Sequence, residues 1–314
     1  MAVEPSEVKK LAEEELLKKL RGIVGVSVKH HSPKILRIYV ERLDPAVLKQ
    51  IPETFLGYKV EVIEVGIVKP LLTPKERQQR WRPIFPGISI GSDLVTAGTL
   101  TCFAVDNEDG EYVMLSNYHV FYGSVSQPIL QPGLFDGSKK PDDIVGYLKR
   151  YVEIKPDPEK NTVDSAIASV EVDFIKEEPD LGAPARVRDP NEGETVIKAG
   201  RTTAVTSAEV IDDSALIKVH DYPGVGDVWF DDIVITNAFA EPGDSGSIAM
   251  GSDGSLVGQV FAGSDRITCL IKATNIVKAL NITPLLGMPK RMGVGLGLAL
   301  LSLPIVASII QKRI

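Results

Sequence analysis

Apolar positions at the start of the chain recur with helical spacing. Val8, Leu11, Ala12, Leu16 and Leu20 fall three or four residues apart, with Lys and Glu filling the other face. This predicts an amphipathic helix over 5–21 that stops at Gly22. The pattern then becomes alternating in I-V-G-V-S-V from Ile23, I-L-R-I-Y-V from Ile35 and Y-K-V-E-V-I-E-V from Tyr58, as in half-buried strands, with a short helix around Pro45 to Gln50. Residues 1–70 thus read as a small α/β module. Residues 71–86, with Pro74, Pro83 and Pro86 among Lys75, Arg77, Arg80 and Arg82, read as a linker.

From 87 to 282 the chain consists of short β-like runs separated by Asp, Gly, Asn and Pro. The runs flanking D-N-E-D-G-E, from Asp106, and G-S-D-G-S, from Gly251, predict two hairpins. Regular strand spacing over this length predicts barrels or a sandwich, so the fold class is mainly β. A last strand, I-T-C-L-I-K-A, leads into a helix over 274–282 capped by Thr274 or Asn275.

With 314 residues and 44% apolar positions the chain can bury more than one core. The net charge of -7 argues against a nucleic-acid partner, because such surfaces concentrate Lys and Arg. Cys102 and Cys269 each sit in an apolar run and read as buried thiols; a single bridge between them is the alternative. No Cys/His cluster has metal-ligand spacing, so neither metal nor cofactor is expected. The start, M-A-V-E-P-S-E-V-K-K, lacks the apolar stretch of a secretory signal.

Three polar residues interrupt apolar surroundings in the 87–282 segment. Ser245 lies between Gly243 and Gly246 in E-P-G-D-S-G-S-I-A-M, where glycines let backbone N–H groups converge on a developing oxyanion. A serine needs a base to attack at neutral pH. Of the four histidines, His30 and His31 fall in the K-H-H-S-P turn and His220 in a loop, whereas His119 ends a strand in L-S-N-Y-H-V-F. Asp164, in N-T-V-D-S-A-I-A, is a carboxylate whose burial would be costly unless a donor such as an imidazole N–H receives it.

His119 in S-N-Y-H-V, Asp164 in V-D-S-A-I-A and Ser245 in G-D-S-G-S resemble the signature segments of chymotrypsin-like (trypsin-like) serine peptidases, in the same chain order. That order separates them from subtilisin-like and α/β-hydrolase enzymes. The amino-terminal module is similar to one attached to some microbial trypsin-like proteins. The resemblance covers 87–282. It implies two six-stranded antiparallel barrels at about 87–180 and 181–273, a closing helix at 274–282, and a serine endopeptidase that works through an acyl-enzyme on a protein or peptide substrate.

In that resemblance Ser245 is the nucleophile, His119 the base and Asp164 the orienting acid, with the N–H groups of Gly243 and Ser245 as oxyanion hole. Phe239 falls where the family floors its specificity pocket, and Phe261, Ala262 and Gly263 where it lines the cleft, which implies a small or uncharged residue before the cut. Phe261 also replaces a serine that usually supports the aspartate, leaving Thr162 or Ser165 as substitutes. Family zymogens are activated when a new amino terminus pairs with the acid before the serine, here Asp244. The competing reading is a catalytically inactive module of this fold that binds peptides or builds an assembly.

Met292 to Ile310 carries no charge and is bracketed by Lys290, Arg291, Lys312 and Arg313. As a helix it covers a hydrocarbon core of about 30 Å. This predicts a single C-terminal membrane span with the catalytic body on the cytoplasmic side, and Gly293 with Gly297 could seat a second copy.

Overall fold

The computed structural model describes residues 4–29, 33–68 and 70–287. His30, His31, the stretch 292–310 and its Gly293–Gly297 pair lie outside them.

The helical pattern at the start yields α1 (Pro5–Ala12), continued by a wider π turn over Glu13–Leu17. Four strands follow: β1 (Ile23–Lys29), β2 (Ile35–Val40), β3 (Thr54–Phe55) and β4 (Tyr58–Glu64), with α2 (Pro45–Leu48) between β2 and β3. They form a sheet in the order β1-β2-β4-β3, in which β2 and β4 run parallel. Val8, Ala12 and Leu16 bury their helical face against Leu36, Ile38 and Val40.

The next segment is anchored by a capping box at Thr73 that starts α3 (Pro74–Arg77). Arg77 is fully buried, its Nη2 lying 2.8 Å from Glu178 Oε1 and 2.5 Å from Asp180 Oδ2. Ile84 and Phe85 join the core of the following sheet, with Trp81 packed against it. The stretch read as a linker is therefore sewn into the β body. Its composition suggested otherwise because a buried arginine is tolerable only where carboxylates meet it, and these lie far along the chain.

From Ser89 onward the strands are β5 (Ser89–Ser92), β6 (Gly98–Thr99), β7 (Cys102–Asp106), β8 (Tyr112–Ser116), β9 (Pro128–Leu130), β10 (Ile144–Tyr151), β11 (Lys160–Asn161) and β12 (Ala166–Ser169). Then come β13 (Thr195–Gly200), β14 (Ala204–Tyr222), β15 (Gly226–Asn237), β16 (Ile248–Gly251), β17 (Leu256–Gly263), β18 (Ile267–Lys272), α4 (Ala273–Leu280) and β19 (Ile282–Pro284). Both predicted hairpins form, β7–β8 and β16–β17.

The expected pair of six-stranded barrels holds only in part. One sheet, β19-β7-β8-β12-β10-β9-β5-β6, is an open half-barrel; the other closes into a ring of six, β15-β14-β13-β16-β17-β18, through the β15–β18 pairing. Closure needs the two outermost strands to reach each other. In the first sheet these are a two-residue strand and a strand ending in Pro284, which has no N–H to donate.

The closing helix is shorter than expected. Its N-cap is Lys272, while Thr274 bonds Asp189 and Asn275 bonds Asp232, and Asn281 ends it in a left-handed conformation at φ 47°.

Among the described residues no helix is long and apolar enough to cross a membrane. α1 and α4 have 8 residues each, about 12 Å against a core of about 30 Å. The described residues thus supply no membrane-crossing helix, and the expected single C-terminal span, which falls on 292–310 outside them, is withdrawn together with the membrane association and the cytoplasmic placement built on it.

Cys102 and Cys269 are both free and buried, and burial pushes each thiol up to about 12. The native protein should therefore not react with a maleimide at neutral pH and should take up two equivalents once unfolded. Mass spectrometry of both states checks this, and full modification of the native chain would contradict it.

Candidate active site

The three candidate side chains come from the ends of strands. His119 follows β8, Asp164 precedes β12, and β12 pairs with β8 so that Ala166 faces Ser116. This register brings the two residues together. His119 Nδ1 lies 2.6 Å from Asp164 Oδ2. A carboxylate oxygen only accepts, so Nδ1 donates, and in the neutral imidazole the lone pair is then on Nε2.

Asp164 is fully buried, and backbone N–H groups of Tyr118 at 2.9 Å and His119 at 3.4 Å donate to its Oδ1. The Tyr222 hydroxyl donates to the same oxygen at 2.9 Å. Neither expected substitute for the family's serine does so: Ser165 Oγ donates to Gln259 Oε1 at 2.6 Å, and Thr162 is exposed.

Ser245 sits in the turn before β16, on the ring. A polar network holds this turn against the half-barrel. Thr99 N–H donates to the Ser245 carbonyl at 2.8 Å, Thr99 Oγ1 to the Gly243 carbonyl at 2.9 Å and Thr101 Oγ1 to the Gly246 carbonyl at 2.6 Å. Gln259 Nε2 donates to Thr101 Oγ1 at 2.6 Å, and its Oε1 accepts from Asn117 Nδ2 at 2.9 Å. Asn117 Nδ2 also donates to the Asp164 carbonyl at 2.7 Å. Gly246 has φ 92°, and a Cβ there would fall 2.0 Å from the Thr99 carbonyl oxygen, so only glycine permits this approach.

The Ser245 hydroxyl donates to the Phe261 carbonyl at 3.4 Å. Among the described residues, the N–H groups of Gly243 and Ser245 donate to no protein acceptor.

Asp244 is fully buried and lies 3.0 Å from Lys198 Nζ, also fully buried. Its oxygens accept further from Thr202 N–H at 2.8 Å, Thr203 Oγ1 at 2.6 Å and Glu241 N–H at 3.1 Å. The acid before the serine thus has a cation from β13 as partner. Burial lowers the Lys198 pKa, and Asp244 opposes that shift.

A cavity of about 730 Å³ opens beside Ser245, lined by Phe239, Ala262, Gly263 and Val260, with Glu241 and Asp265 among its polar residues. Phe261 is not part of that lining. Its ring turns into the core against Phe230, with centroids 4.7 Å apart. His220, read from the sequence as a loop residue, instead lies exposed on β14, 3.1 Å from Asp227. No group of three or more candidate metal ligands occurs among the described residues.

Sequence reasoning missed Tyr222, Lys198, Gln259 and Thr99. Lys198 and Gln259 had a visible signal, each being a lone long polar residue inside an apolar strand, in T-V-I-K-A-G and L-V-G-Q-V-F. Tyr222 had none.

A half-barrel and a closed six-stranded ring meet along this network, and α4 follows the last ring strand. The fold is chymotrypsin-like. No family model and no curated protein matches the chain. Among solved structures the chain is similar to a Nocardiopsis protease, at 18% identity over 64% of this chain and 98% of that one, TM-score 0.48. It is also similar to a Cellulomonas bogoriensis chymotrypsin, at 14% identity over 65% and 99%, TM-score 0.49. The active form of the Rv3671c protease of M. tuberculosis matches at 21% over 64% and 81%, TM-score 0.39.

Replacing Lys198 by Met leaves the Asp244 charge buried without its partner and should cost about 3–5 kcal/mol of stability. Adding Asp244→Asn should recover part of that loss, because the two side chains act as a pair. Urea unfolding of the single and double variants checks this; a single variant within about 1 kcal/mol of wild type would contradict it.

Proposed function

We propose that the chain is a serine endopeptidase in which Ser245 is the nucleophile, His119 the general base and Asp164 the residue that orients the imidazole. The observation that carries this reading is the 2.6 Å contact from His119 Nδ1 to the buried Asp164, which makes Nε2 the lone-pair nitrogen of the neutral imidazole. The cavity of about 730 Å³ that includes Ser245 supports it.

In this reading the Ser245 oxygen attacks the scissile carbonyl carbon as its proton passes to His119 Nε2, and the carbonyl electron pair moves onto oxygen. The N–H groups of Gly243 and Ser245, which have no protein acceptor among the described residues, receive that charge. The proton then returns from Nε2 to the leaving amine, and water hydrolyses the ester by the reverse path. We assign residues 87–282 to the peptidase, with halves at about 87–180 and 181–273 and a closing helix at 274–282. Residues 1–70 would form the attached module, joined through 71–86. Phe239, Ala262 and Gly263 would receive the side chain before the cut, small or uncharged in preference.

A second reading has one observation in its favour. The Ser245 hydroxyl is directed at the Phe261 carbonyl, and a module that only binds peptides needs no serine–imidazole bond.

A fluorophosphonate probe separates the two. The wild-type protein should label at Ser245, and Ser245→Ala should abolish labelling, as expected where losing the nucleophile typically costs on the order of 10⁶-fold in turnover. Unlabelled wild type, or label that survives the substitution, would remove the peptidase reading.

A further inference from the structure

We propose that Tyr222 is a positioning residue for the His119–Asp164 pair, supplying from the tip of the β14–β15 hairpin the hydroxyl donor that the strand behind Ser245 lacks; this inference rests on the peptidase reading above.

Most of the hairpin beyond the ring is exposed or half-buried, yet Tyr222, at its far end, is only 5% exposed. Two local features turn the residue inward. The register slips between Val219, opposite Val228, and Tyr222, opposite Gly226, so β14 carries an extra residue there. Asp221 takes up that slip in a left-handed conformation at φ 54°, which aspartate tolerates better than most side chains. The tip then rests on the segment that carries His119. A Cβ on Gly224 would fall 2.8 Å from the Tyr122 hydroxyl, and Gly224 has φ 76°.

From this position Tyr222 acts on both members of the pair. Its hydroxyl lies 2.9 Å from Asp164 Oδ1, the oxygen that does not face the imidazole. Its ring stands edge-on to His119, with centroids 6.0 Å apart and planes at 84°, and walls the imidazole on that side. Burial, and next the Asp164 charge, push the Tyr222 phenol well above its ordinary range, so it stays a neutral O–H donor. The titratable groups around it are Asp164, Tyr118 and Tyr122, with His119 against its ring. The strand behind Ser245 cannot provide this donor, since Phe261 stands there with its ring in the core.

A donor to Oδ1 withdraws charge from the carboxylate. Without it, Asp164 would hold an imidazolium more strongly and fix the ring less firmly. Tyr222→Phe removes only the hydroxyl. It should slow fluorophosphonate labelling at pH 7 about tenfold and move the acidic limb of the labelling profile upward by about one pH unit. Gly224→Ala, which lifts the tip without altering Tyr222, should move the limb in the same direction. A purely structural role would lower the melting temperature and leave the limb in place.

Wild type that labels, with both variants matching its rate and limb, would overturn the inference and leave the peptidase reading intact. Unlabelled wild type would remove the peptidase reading and the catalytic part of the inference together. In that case the downfield proton resonance of the His119 Nδ1–H···Asp164 bond decides the positioning: a shift in Tyr222→Phe supports it, and an unchanged resonance overturns it.

Discussion

A carboxylate with no access to water sits where the half-barrel meets the ring. Taking such a charge out of solvent costs several kcal/mol, recovered only if nearly every lone pair finds a donor. Asp164 finds four: two backbone N–H groups, an imidazole N–H and a phenol. The first three come from the turn after β8 and the fourth from a hairpin of the ring. The fold must therefore bring both sheets to one point before the charge is tolerable, and doing so fixes which imidazole nitrogen carries the proton.

The same junction sets the Ser245 turn. Thr99 and Thr101 bond carbonyls on either side of the serine, while Gln259 ties Thr101 to Asn117 and so to the Asp164 backbone. The side chains of Thr99, Thr101, Asn117 and Gln259 are all buried, so a slip of one sheet against the other would leave several donors and acceptors unpaired at once. Behind the turn, the Lys198–Asp244 pair holds the loop that carries the N–H groups of Gly243 and Ser245, which have no protein acceptor among the described residues. The cation comes from within the chain, so the acid before the serine is paired without a new amino terminus.

What the sequence could convey followed the range of the interaction. The hairpins around Asp106 and Gly251 were legible because their turns are local and rich in Asp and Gly. His119, Asp164 and Ser245 stood out as polar residues at the ends of apolar runs. Tyr222 did not, because H-D-Y-P-G reads as an ordinary turn and only the fold of a long hairpin carries it to Asp164. The burial of Arg77, in the stretch read as a linker, was not legible because the carboxylates that allow it, Glu178 and Asp180, lie about 100 positions away. The open edge of the first sheet was equally hidden, since closure depends on which distant strands meet. Phe261 was legible by position but not by direction: the family resemblance implied a cleft residue, whereas its ring packs against Phe230.

Buried Asp164 fixes the neutral His119 ring as the tautomer with Nδ1 protonated and the lone pair on Nε2. Nitrogen-15 NMR of selectively labelled histidine tests it most directly, above the pH at which the imidazole loses its charge. His119 should show a protonated Nδ1 and a bare Nε2, with that preference lost in Asp164→Ala. A bare Nδ1 in the wild-type protein, or a mixture of tautomers unchanged by the substitution, would contradict it.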